Sequence, residues 1–134
     1  MKNVASSEQA RPALISILIA LLLDISFVLL FAASGRSQHG ESATLEGLWQ
    51  TAWPFLGALA VVWVVAVVWR RPLAVARSGI PIWAGTVAVG MLLRVLFTEG
   101  GAAVPFVLVA TGVLGVALVG WRLVAAAVIR FSRR

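Results

Sequence analysis

Four long apolar runs, at roughly 13–33, 47–69, 79–97 and 102–121, constrain this chain more than any other feature. Each is about 20 residues long and nearly free of charge, which is what an α-helix needs to cross the hydrocarbon core of a bilayer. Short polar or Gly/Pro-bearing segments separate them: "SGRSQHGESATLE", "RRPLAVARSG" and "TEGG". Hydrophobic residues make up 61% of the 134 and charged ones only 12%, and no water-soluble fold of this size hides so much apolar surface. The reading is a single all-α domain, 1–134, an integral membrane four-helix bundle in contact with the lipid bilayer. The first run follows Lys2 and Arg11 like a signal peptide, but it is longer than a signal core and contains Asp24, so a retained span is expected.

Charge gives the threading. Nine of the eleven Lys and Arg residues lie in the N-terminal tail (Lys2, Arg11), the second connection (Arg70, Arg71, Arg77) and the C-terminal end (Arg122, Arg130, Arg133, Arg134); Arg36 and Arg94 lie on the other side. Basic residues in short loops stay cytoplasmic, so both termini are expected inside a plasma membrane, such as a bacterial inner membrane. The net charge of +6 is therefore explained by headgroups and not by nucleic acid. Trp69, Trp83 and Trp121 at inner ends and Trp49 at an outer end read as interfacial anchors. Pro54 either kinks the second span or begins it, in which case the preceding residues form a separate outer segment.

Two ionisable residues fall inside spans, Asp24 in "LLLDISF" and Arg94 in "GMLLRVLF". A charge at a helix centre costs roughly 2.5–3.5 kcal/mol on insertion scales, which fourteen Leu, Ile, Val and Phe residues in the first span outweigh. Counting from the inner boundary, Asp24 lies roughly 16 Å deep and Arg94 roughly 21 Å, within the reach of an arginine arm. Ser16, Ala20 and Asp24 recur every four residues, as do Thr86, Gly90 and Arg94. Such small-residue stripes are where membrane helices approach closely, so the first and third spans are expected to face each other with Asp24 and Arg94 paired. In the fourth span Thr111 and Gly115 form a similar packing stripe.

Above that pair an outer polar set, Arg36, His39, Glu41, Gln50, Thr51 and Glu99, is placed to line a cavity. One histidine and scattered acids make no metal site, the chain has no cysteine, and no serine elbow, phosphate loop or dinucleotide fingerprint is present, so no enzyme activity, cofactor or metal is expected. "FAASGRSQHGE", "TAWPFLGAL", "WRRPLA", "GMLLRVLF" and "GWRLVA", in this order and together with the Asp24 span, resemble a mostly actinobacterial family catalogued as domain of unknown function 3054. The resemblance implies a four-helix membrane fold and no established activity. The functional expectation is a non-catalytic membrane component that packs against itself or a larger complex. The alternative is a carrier or channel for a small anionic or protonatable solute, using the Asp24/Arg94 pair.

Overall fold

The computed structural model describes residues 2–38 and 44–133, with side chains of the first helix described from 14 to 35. Helix α1 spans Lys2–Gln38, α2 Leu45–Val65, α3 Ile80–Phe97, α4 Val104–Leu114 and α5 Gly120–Ser132. Two wide, π-type turns continue these helices, Val75–Gly79 into α3 and Gly115–Val119 between α4 and α5. The result is four helical segments long and apolar enough to cross a membrane: Leu14–Gly35, Leu45–Val65, Val75–Phe97 and Val104–Ser132. Among the described residues there is no strand.

Local sequence explains most of the boundaries. Thr44 caps α2, its hydroxyl accepting from the Gly47 N–H at 3.0 Å. The helix then runs unbroken through the buried Pro54, so the residues before it are not a separate segment. The helix ends four residues before Trp69, because Val67 adopts φ 53°, a left-handed conformation costly for a β-branched residue. A 3-10 turn at Val68–Arg70 follows, and Val68 is fully buried beneath it. Pro105 in the first turn of α4 fits a position whose N–H has no helical acceptor, while Pro81 follows directly on the wide Val75–Gly79 turn that leads into α3. The fourth span reaches Ser132, well past the expected end at 121.

The helices pack in ring order: α1 on α2, α2 on α3, α3 on α4, and α4 back on α1. This corrects the expectation that the first and third spans face each other; they stand diagonally across the bundle. The small residues of α3 serve α2 instead. Gly90 receives the ring of Phe55 and Gly85 receives Val62, each so close that an added Cβ would collide. Gly115 likewise makes room for Trp83, whose indole donates to the Thr111 carbonyl at 2.8 Å and ties α3 to the fourth span.

The core has two layers. Toward the α3–α4 connection, Phe31, Phe55 and Phe106 form an aromatic trio, with Phe31 and Phe55 edge-to-face at 5.4 Å. Toward the α2–α3 connection the core is polar and built around Asp24. Between α1 and the fourth span an apolar trough of about 1130 Å³ opens outward, with Ser16, Leu23, Phe27, Gly112, Val116 and Trp121 among its walls.

Candidate functional site

Asp24 is completely buried, and its charge is met by Arg122, not by Arg94. Arg122 addresses the carboxylate with both ends of its fork, Nη1 to Oδ1 at 2.9 Å and Nη2 to Oδ2 at 2.8 Å. Two indoles complete the shell: Trp121 Nε1 donates to Oδ1 at 2.8 Å and Trp63 Nε1 to Oδ2 at 3.0 Å. Each carboxylate oxygen thus receives two N–H donors. The remaining reach of the guanidinium goes to backbone, Nη1 to the Leu118 carbonyl and Nε to the Pro72 carbonyl, both at 2.9 Å. The arginine side chain is as buried as its partner, at 0% exposure.

The cluster gathers every part of the bundle. Asp24 comes from α1, Trp63 from α2, Trp121 and Arg122 from α5, and Pro72 from the α2–α3 connection. Gly79, entering α3, lies against the Arg122 side chain, where an added Cβ would meet Cδ at 3.1 Å. The Leu118 carbonyl that accepts from Arg122 belongs to the wide Gly115–Val119 turn, a helix irregularity that turns carbonyls away from their usual partners. In low dielectric a bidentate Arg–carboxylate pair whose other polar groups are also bonded offsets desolvation best, and here four of the five guanidinium N–H groups and both carboxylate oxygens are engaged.

Arg94 has a different role. Its helix ends three residues later at Phe97, so it sits roughly 5 Å from the C-terminal end of α3, whereas Asp24 lies roughly 16 Å from Gly35 at the same end of the bundle. The depth match expected from the inner boundary fails because the third segment begins at Val75 and not at 79. The Arg94 arm folds over the α3–α4 connection, donating from Nε to the Gly101 carbonyl at 3.0 Å and from Nη2 to Gly100 at 3.3 Å. It also stacks on Phe106, with Cζ 3.9 Å from the ring centroid.

The expected outer polar set is not assembled among the described residues. Gln50 and Glu99 are exposed, and Thr51 donates to the Gly47 carbonyl of its own helix. His39 and Glu41 lie outside the described residues, as does the side chain of Arg36. No group of three or more metal-ligating side chains occurs among the described residues. Of the expected tryptophan anchors, Trp49 and Trp69 are exposed as a belt requires, but Trp83 and Trp121 spend their N–H groups on tertiary bonds.

Sequence reasoning gave Arg122 and Trp121 other roles, a basic flank and an interfacial anchor, and did not single out Trp63. A signal for Arg122 was present: Ala110, Leu114, Leu118 and Arg122 recur every four residues and are all fully buried, matching Ala20, Asp24 and Val28 on α1. The packing stripe expected at Thr111 and Gly115 lies one residue away from it.

A family model described as "Protein of unknown function (DUF3054)" matches residues 21–125. The chain belongs to the DUF3054 family. The match begins just before Asp24 and ends just after Arg122, so the whole cluster lies inside the DUF3054 region. No curated protein and no solved structure matches the chain.

Proposed function

We propose that this DUF3054 protein is a non-catalytic component of the plasma membrane, threaded with both termini inside, in which the Asp24–Arg122 cluster is an architectural lock. The observation that carries this reading is the saturation of the carboxylate. Four N–H donors fill both oxygens at 0% exposure, so a solute would have to displace a protein donor to bind. A carrier site needs a charge that exchanges partners during each cycle, and breaking a buried pair costs about 3–5 kcal/mol. The carrier reading also relied on Arg94, whose guanidinium is held by loop carbonyls and Phe106.

Flux through liposomes containing the purified chain tests this. A panel of small anions and protons should show no rate above that of empty vesicles. Arg122→Lys keeps the charge but loses the planar fork, and should lower stability without changing any flux. Solute-dependent flux that Arg122→Lys abolishes in a folded protein would overturn the lock in favour of a carrier.

A further inference from the structure

The lock leaves the α2–α3 connection unexplained. On the face of the bundle where α2 ends and α3 begins, Arg70, Arg71 and Arg77 line one cavity of about 230 Å³ together with Ala66, Val67 and Ser78. All three arginines are exposed. None forms an ion pair or a side-chain hydrogen bond with any described residue, and no acidic side chain among the described residues lines the cavity. Basic residues that only flank a span have no need to converge, and like charges brought together repel.

Here the convergence is built by the backbone. The left-handed Val67 and the 3-10 turn after it bring Arg70 and Arg71 round at the end of α2. The buried Ser78 hydroxyl donates to the Arg71 carbonyl, which ties the two arms of the connection together and sets Arg77 on the second arm. The Pro72 carbonyl, between the arms, is fixed by Arg122 Nε. The backbone that carries three arginines is thus fixed around a small hollow by groups that belong to the fold, and planar guanidinium forks match phosphate oxygens at two points each.

We infer that the Arg70/Arg71/Arg77 cavity binds a phosphoryl oxyanion at the membrane surface. Its position at the ends of two spans, beside the exposed Trp69, places it at headgroup depth, where a basic pocket between helices takes an anionic lipid headgroup. The same chemistry would accept free inorganic phosphate from the aqueous side, and the two sources differ in what they compete with.

The test uses the full chain in nanodiscs of phosphatidylcholine containing a minor fraction of phosphatidylglycerol, with retained lipid counted by native mass spectrometry. The wild-type chain should enrich phosphatidylglycerol at least about tenfold over its bulk fraction. R70Q/R71Q/R77Q should bring enrichment close to one. The control R130Q/R133Q removes charge from the same face but away from the cavity, and should keep most of the enrichment. In discs of phosphatidylcholine alone, inorganic phosphate is titrated and its binding followed by tryptophan emission. Enrichment insensitive to millimolar phosphate assigns the site to lipid; saturable phosphate binding without enrichment, lost in R70Q/R71Q/R77Q, assigns it to free phosphate. Absence of both, or equal loss of enrichment in the triple variant and the control, would mean diffuse surface charge and would sink the inference. Circular dichroism of each variant confirms that the exposed substitutions leave the helices intact.

Discussion

Asp24 illustrates what a single residue discloses. An aspartate within an apolar run must have a partner, and that much was legible in "LLLDISF". The partner was not, because Arg122 stands among Arg130, Arg133 and Arg134 in a stretch that reads as a basic flank. Only the continuation of the helix to Ser132 turns Arg122 into an interior residue. The coupling has a direct test by equilibrium unfolding in a double-mutant cycle. Asp24→Asn or Arg122→Leu alone should each cost about 3–5 kcal/mol, since each strands a buried charge. Asp24→Leu combined with Arg122→Leu should recover much of that loss. Asp24→Asn combined with Arg94→Leu should show additive losses, the two side chains sharing no hydrogen-bond partner among the described residues. Coupling of Asp24 with Arg94, and none with Arg122, would contradict the geometry. Trp63→Phe keeps the ring but removes one donor to the carboxylate, for an expected loss of about 1–3 kcal/mol.

Among the elements, the existence of the four spans was legible from hydropathy alone, while their ends and neighbours were not. A twenty-residue criterion carries no information about the wide turns that lengthen the third and fourth segments, nor about the left-handed Val67 that shortens the second. Small residues were correctly read as close-approach sites, but glycine tells where a neighbour comes near and not which neighbour it is. Gly90 takes a ring from α2, not a helix face of α1. Gly90→Val should therefore drive Phe55 out of its place and destabilise the protein by about 1–3 kcal/mol. Phe55→Leu in the same chain should restore part of the loss, as a smaller side chain facing the larger one. Thermal unfolding of the two single variants and the double decides it: strictly additive losses would show that α2 and α3 do not meet at this point. Thr86, one turn before Gly90, is buried with its hydroxyl lacking a partner among the described residues; a rotation toward a carbonyl of its own preceding turn would satisfy it.

For the molecule as a whole, connectivity puts the N-terminal end of the first span, the α2–α3 connection and the C-terminal end on one face, which is the grouping that the nine-to-two charge bias reads from sequence. Which face is cytoplasmic is a question for labelling. In this cysteine-free chain Ala76→Cys and Glu99→Cys offer exposed positions at the two ends; Ser78 does not, being buried with its hydroxyl engaged. An impermeant maleimide applied to intact cells should modify Glu99→Cys and spare Ala76→Cys until the membrane is opened. Modification of both from outside would refute four spans, and the reverse pattern would invert the threading. The lock also has a consequence in time. Its two charges are separated by 98 positions, one on the first of the four spans and the other on the fourth. While the chain is being synthesised, Asp24 enters the bilayer with no countercharge from Arg122 and stays in that condition until the fourth span is delivered. A chain interrupted before Trp121 holds the Asp24 carboxyl with the Trp63 indole alone and lacks the other three of its four N–H donors.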